Sequence, residues 1–232
     1  MQNQPEHRFT LLAFDMDGTL IDSLAAIVDA SVEAFAGTPF ATPTADQVRE
    51  VVGLHLELCV EHWAPDASAD EVRDLAERYR MAFRGQRARG EQNVKFYEGV
   101  TETLDLLRHD ETFMAVVTGK DRRGLDATLQ MQDFGHHFHS LQTPDTNPGK
   151  PAPDMVWSAN RETVTEARDT VVIGDTSFDM EMARNAGAFA LGVTYGNHSE
   201  ERLRQSGAHM LIHSFAELPA ALKALSHEDF RP

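Results

Sequence analysis

The run Leu11-Leu12-Ala13-Phe14-Asp15-Met16-Asp17-Gly18-Thr19-Leu20 decides how this chain is read. Its apolar opening predicts a short buried strand, and two carboxylates follow with a single residue between them. Alternate side chains of a strand share a face. Asp15 and Asp17 are therefore expected to point the same way at the strand's carboxyl end, where open α/β sheets hold their ligands. Gly18 permits a sharp departure of the backbone just beyond. Burying two like charges without compensation is costly. A hard, oxygen-seeking cation such as Mg²⁺ is the simplest remedy, since it accepts carboxylate and carbonyl ligands. The competing reading at this point is a strand that ends in a solvated Asp-Gly turn.

Three further stretches bear on that choice. Phe113-Met114-Ala115-Val116-Val117-Thr118-Gly119 reads as a second apolar strand ending in a hydroxyl. Lys150-Pro151-Ala152-Pro153-Asp154 sets a lysine ahead of a predicted helix. Val171-Val172-Ile173-Gly174-Asp175-Thr176-Ser177-Phe178-Asp179 is a third apolar strand ending in Gly-Asp, with another aspartate shortly after. In order and separation these elements resemble the four motifs of the haloacid dehalogenase superfamily. The resemblance is to its phosphatase branch, in particular the phosphoglycolate-phosphatase-like hydrolases that carry a helical cap after the first motif. It covers essentially the whole chain.

The resemblance implies a role for each position. Asp15 corresponds to the nucleophile that forms an aspartyl-phosphate, and Asp17 to the general acid/base. Asp15, the main-chain carbonyl of Asp17 and Asp175 correspond to the ligands of Mg²⁺. Asp179 corresponds to a residue that supports the metal from behind, although a helix N-terminus favours an acid there in any case. Thr118, Gly119 and Lys150 correspond to the phosphate-binding groups. The expected substrate is a small phosphorylated metabolite, phosphoglycolate-like or a sugar phosphate. A sugar-phosphate mutase of the same superfamily, or a non-catalytic protein that retains the fold, are the alternatives. A phosphonate hydrolase needs a cap lysine, and residues 24–84 contain none.

Bulk properties agree with a soluble enzyme. The chain has 232 residues, 41% hydrophobic and 25% charged, as in ordinary globular proteins. A formal charge of -16 argues against binding nucleic acid, which needs a basic footprint. A small phosphorylated substrate remains compatible, because a metal and a few cations can reverse the field inside a pocket. Cys59 is the single cysteine, so no intrachain disulfide is expected, and its apolar neighbours suggest a buried hydrophobe. The polar opening, Met1 to Arg8, lacks the apolar core of a signal peptide. No run is long enough to span a membrane. The default expectation is a cytoplasmic enzyme.

The expected fold is α/β: a Rossmann-like parallel sheet with helices on both faces, plus an inserted all-helical cap domain. The catalytic core is assigned to residues 1–22 and 94–232, the cap to 23–93. Within the cap, helices are predicted after Ser23, from Thr44, over 54–63, and from the capping box Ser68-Ala69-Asp70-Glu71 through about residue 84. Beyond residue 94, strands are expected over 113–117, 138–142, 170–173, 189–193 and 210–212, alternating with helices as parallel sheets require. Lys120, Arg122 and Arg123 are read as a solvated helix start in preference to an anion site. His136, His137 and His139 are read as loop and strand-edge residues, because no cysteine or carboxylate pattern accompanies them. Trp63 and Trp157 are assigned to packing. Arg49, His55 and Glu57 flank a turn that faces the active site in this family, and they receive no catalytic role.

Overall fold

The computed structural model describes residues 7–108 and 112–227. The polar opening read from Met1 to Arg8 lies, up to residue 6, outside the described residues. β1 (Leu11–Phe14) leads through the two-residue β2 (Ile21–Asp22) into four helices: α1 (Leu24–Phe35), α2 (Ala45–Val51), α3 (Leu56–Trp63) and α4 (Ala69–Ala88). β3 (Lys95–Phe96) returns antiparallel to β2, so a small ribbon joins the two ends of this helical block. There follow α5 (Val100–Leu107), β4 (Phe113–Val117), α6 (Arg122–Gln132) and β5 (Ser140–Gln142). The chain then continues through α7 (Asp154–Thr163), β6 (Thr170–Gly174), α8 (Ser177–Ala186) and β7 (Phe189–Val193). It closes with α9 (Glu200–Gln205), β8 (Met210–Ile212) and α10 (Leu218–His227).

The main sheet has the order β5-β4-β1-β6-β7-β8, every pair parallel. β1 is apolar throughout because both its faces are covered. Leu12 and Phe14 pack with Val100, Leu104, Leu125 and Leu222 on one face. Ala13 packs with Met155, Val156, Met180 and Ala183 on the other. The chain builds outward from β1 to β4 and β5, then returns to lay β6 on the opposite side. β1 thus sits at the switch point, where such sheets open a crevice at the strands' carboxyl ends.

The block α1–α4 has its own apolar cluster, including Phe35, Val48, Val60, Trp63, Val72 and Leu75. Sequence locally dictates two of its helix starts, those of α2 and α4. The Thr44 and Ser68 side chains each accept from the third helical N–H, while Gln47 and Glu71 reach back to the cap residues' own N–H groups. Cys59 is buried and its thiol donates to the Val51 carbonyl. Burial pushes its pKa up to about 12, so it is an inert hydrophobe as expected.

The differences from expectation have local causes. α4 runs to Ala88, past residue 84, because the helix carries through Gly85, buries Gln86 beyond it, and stops only ahead of Gly90, whose backbone is left-handed. β5 starts at Ser140 because Gly135–His137 coil into a 3-10 turn, and Phe138 instead packs against Phe14 and Phe134. The ribbon β2–β3 and the short α9 are unanticipated. The first is two residues paired across the whole block, and the second is a polar turn started by Ser199 accepting from Arg202 N–H. Trp63 packs in the block, whereas Trp157 is 43% exposed and only its indole N–H is held, by the Ala186 carbonyl. Among the described residues no helix is long and apolar enough to cross a membrane.

Leu12 lies fully buried on the central strand. Leu12→Ala is expected to cost about 2–5 kcal/mol in urea unfolding, through lost transfer energy plus a cavity that the sheet cannot collapse around.

Candidate active site

β1, β4 and β6 end level with one another, Phe14 lying beside both Val116 and Ile173. The residues that follow therefore converge, although they are far apart in sequence. Asp15, Thr118, Lys150, Asp175 and Asp179 are all essentially buried. Carboxylate oxygens of Asp15, Asp175 and Asp179 lie within 4.8 Å of one another. Lys150 Nζ sits 2.7 Å from Asp15 Oδ1 and 2.6 Å from Asp179 Oδ1.

One ammonium among three buried carboxylates leaves the cluster under-neutralised. Burial drives the Asp15 pKa well above the carboxylate range; Lys150 opposes this, and Asp179 and Asp175 add to it. Asp175 is pushed up to about 6, first by burial and then by Asp179, against hydrogen bonds from Asn197 and Thr19. Burial pulls Lys150 down, but Asp15 and Asp179 outweigh it and keep the ammonium charged. Asp15 Oδ2 accepts no hydrogen bond from any described residue. A buried, unsatisfied carboxylate oxygen beside two other acids is what a hard cation site requires.

The remaining partners are specific. Asp175 Oδ1 accepts from Thr19 Oγ1 at 2.8 Å, and Oδ2 accepts from Asn197 N and Nδ2, each at 2.8 Å. Asp179 Oδ2 accepts from Thr176 N at 3.0 Å and Thr176 Oγ1 at 2.6 Å, so this acid both caps α8 and holds Lys150. Thr118 Oγ1 accepts from Lys120 N–H at 3.3 Å, which leaves its own proton free to donate.

Asp17 sits differently from the strand-alternation expectation. β1 has already ended at Phe14, and the Thr19, Leu20 and Ile21 N–H groups all turn back onto the Met16 carbonyl. The Asp17 carboxylate stands outside the three-acid cluster. It accepts from Ser23 Oγ at 2.6 Å and lies 3.0 Å from Lys120 Nζ, yet it lines the same cavity as Asp15. Ser23 precedes α1 as expected, but its hydroxyl serves Asp17 and makes no helix cap. The reading of Lys120 as solvated is corrected: its side chain is 12% exposed, paired with Asp17, and 5.0 Å from the centre of the Phe83 ring. Arg122 does lie exposed, against Asp126, while Arg123 reaches the cavity rim.

Gly119 meets the helical block. A Cβ there would fall 2.4 Å from the main-chain oxygens of Gly53 and Leu54. The glycine thus admits the turn between α2 and α3, at a position that the resemblance assigns to phosphate binding. The same turn brings His55 beside Gly149 and Gly53 beside Thr176. Arg49 pairs with Asp46 on the surface, and Glu57 accepts from Arg80 at 2.5 Å. His198 ties the far side. Its Nδ1 accepts from Ser177 N–H at 2.9 Å, so its Nε2–H donates to the Glu50 carbonyl at 3.2 Å. Thr19, Ser23, Asn197 and His198 escaped sequence reading; the only hint was that Asn197 and His198 follow a predicted strand end.

The histidine reading is also amended. His136 and His137 do have a carboxylate neighbour, Asp105, which comes from α5 and was invisible to local spacing. His139 instead accepts from Met114 N–H through Nδ1.

Comparisons with known proteins bear on the family and the fold. A family model described as haloacid dehalogenase-like hydrolase matches residues 12–193. A relative named probable phosphatase IndB, from Dickeya dadantii, is 30% identical over 218 residues, covering 93% of this chain and 94% of that one. A phosphoglycolate phosphatase of Vibrio parahaemolyticus is 29% identical over 214 residues, covering 90% of this chain and 93% of its own. The crystal structure of a hydrolase from Pseudomonas syringae superposes with a TM-score of 0.83 at 22% identity, over 94% of this chain and 99% of that one. The chain belongs to the haloacid dehalogenase-like hydrolase family, and it is an enzyme.

Two measurements probe this arrangement. The unfolded chain ionises Asp175 near 3.8 and the folded chain near 6, so the folded state holds the extra proton between them. Stability of the metal-free protein should therefore fall as pH rises through that window. Urea midpoints between about pH 4 and pH 7.5 are expected to drop less in Asp175→Asn than in the wild type. Gly119→Ala should displace the Gly53–Leu54 turn, read as faster hydrogen exchange at residues 53–56 with the sheet amides unchanged.

Proposed function

We propose that this enzyme is a Mg²⁺-dependent phosphatase that hydrolyses a small phosphorylated metabolite through an aspartyl-phosphate on Asp15. The observation that carries this is Asp15 itself. It lines a cavity of 640 Å³, one oxygen held by Lys150 and the other unpartnered among the described residues. Asp15 attacks phosphorus in line with the leaving oxygen, using the lone pair of a carboxylate that Lys150 and a bound cation would together keep ionised against burial. Asp17 protonates the departing alkoxide, then takes a proton from the water that cleaves the acyl-phosphate. The Thr118 hydroxyl donates to a phosphoryl oxygen, Gly119 lies alongside, and Lys150 neutralises nucleophile and phosphate together.

The donor set fits a hard divalent ion: clustered carboxylates, one oxygen unsatisfied, and too little positive charge nearby. Asp15, the Asp17 main-chain carbonyl and Asp175 would hold Mg²⁺, with Asp179 behind them. Bound there, Mg²⁺ supplies the charge neutralisation that lets an anionic nucleophile meet an anionic phosphate.

The helical block within residues 23–93 is proposed as a cap that excludes water during turnover. Its contacts with the core support this: the turn pressed on Gly119, Glu50 2.6 Å from Arg202, and Arg80 3.4 Å from Asp121. Such ion pairs between partly exposed groups are weak singly, so they do not by themselves lock the block in place.

Phosphate release from a panel of phosphorylated metabolites tests the reading. Asp15→Asn is expected to lose at least about a thousandfold in kcat while its circular dichroism stays native. Stoichiometric release of inorganic phosphate separates hydrolysis from mutase turnover. Mg²⁺ should raise the melting temperature of the wild type and do so less for Asp175→Asn; equal shifts would remove Asp175 from the metal site.

A further inference from the structure

We infer that the alcohol released by this enzyme carries a planar ring, and that Tyr79 and Phe83 of α4 are the residues that select it. The inference rests on the phosphatase reading and extends it by naming the class of leaving group. The cavity that holds Asp15 and Asp17 continues to an apolar wall that includes Leu54, Leu56, Trp63, Tyr79 and Phe83. Its 640 Å³ is the size that encloses a ligand of several rings or chains. A two-carbon acid phosphate would leave most of that wall facing water.

α4 presents this wall deliberately. Nine of its 20 residues are charged, yet Tyr79, Phe83 and Arg87 recur at four-residue spacing, on one face, and that face lines the cavity. The Tyr79 and Phe83 rings stack at 5.8 Å and 21°, with Trp63 at 6.3 Å from Tyr79. Lys120 joins the two halves of the site, its Nζ lying 5.0 Å from the Phe83 ring centre and 3.0 Å from Asp17 Oδ2. A ring against Phe83 is therefore one side chain away from the proposed acid, within the span of a single small substrate.

Polar groups in the wall suit the edge of such a ring and not a plain hydrocarbon. The Tyr79 hydroxyl makes no hydrogen bond to any described residue. Burial, with Asp17 and Asp121 behind it, keeps that hydroxyl protonated and hence a donor. Arg80 is occupied by Glu57 and Asp121, but Arg87 has no carboxylate partner among the described residues and holds only Gln92 Oε1 at 3.3 Å. Its guanidinium lies 5.8 Å from the Phe83 ring centre. Stacked aromatics with flanking donors and a guanidinium are the means by which heteroaromatic rings are held.

The test compares kcat/KM of the full chain with Mg²⁺ for uridine and adenosine 5′-monophosphates, ribose 5-phosphate and phosphoglycolate. The nucleotides and ribose 5-phosphate release the same primary alkoxide, so their ratio reads the ring alone. At least one nucleotide is expected to exceed ribose 5-phosphate by about tenfold to a hundredfold. That ratio should collapse in Tyr79→Leu and Phe83→Leu and survive in Phe83→Tyr. Equal or better turnover of ribose 5-phosphate or phosphoglycolate, or a ratio indifferent to these substitutions, overturns the inference. Calorimetry of uridine and adenosine with Asp15→Asn separates the two readings. Nucleoside binding that Phe83→Leu abolishes, in a chain that hydrolyses none of the phosphates, would leave the ring site standing and the reaction misread. Hydrolysis without nucleoside binding would do the reverse.

Discussion

Three carboxylates are buried together, two just beyond β1 and β6 and one in the first turn of α8, and among the described residues a single ammonium lies between them. Lys150 touches Asp15 and Asp179 but leaves the second oxygen of Asp15 without a partner among the described residues. Fully compensated acids would be structural and inert; wholly uncompensated ones would protonate or unfold the crevice. The partial balance holds in place the carboxylate proposed as nucleophile, with a remaining deficit of positive charge that the proposed divalent ion would fill. The mechanism proposed for the chain follows from that deficit.

The sheet makes the balance possible. Only the parallel register of β1 with β4 and β6 brings a carboxylate, a hydroxyl and a second carboxylate to one level. The loops beyond must then pack closely enough to exclude water. At Gly18, held at φ +91°, a side chain would strike Asp175 Oδ2 at 2.2 Å, so the first loop and the fourth are in direct contact. The Tyr195 hydroxyl adds a further tie, donating to the Thr19 carbonyl at 2.8 Å.

The helical block meets this crevice through main chain as much as side chain. Carbonyls of Glu50, Gly53 and Leu54 face His198 and Gly119, and the exposed ion pairs lie at the margin. Main-chain contacts depend little on side-chain identity. The wall that α4 gives the cavity is therefore free to carry its own chemistry without loosening the seat.

Sequence by itself determined β1, β4 and β6 and the Asp or Thr that follows each, because an unbroken apolar run stopped by a polar residue is the local pattern of a strand buried on both faces. It also marked the helix starts at Thr44 and Ser68, whose capping bonds span only three residues. It misread Lys120, whose neighbours in sequence are polar but whose neighbours in space are Asp17 and Phe83. It placed Asp17 on a strand that had already ended, and it gave no hint that Asp105 would meet His136 and His137. Which charges are paired, which oxygen is left over, and which face of α4 lines the cavity were decided only by tertiary structure. Each depends on burial and on contacts between segments remote in the chain, and a side chain's charge balance is fixed by what surrounds it in space, not by what precedes it in sequence.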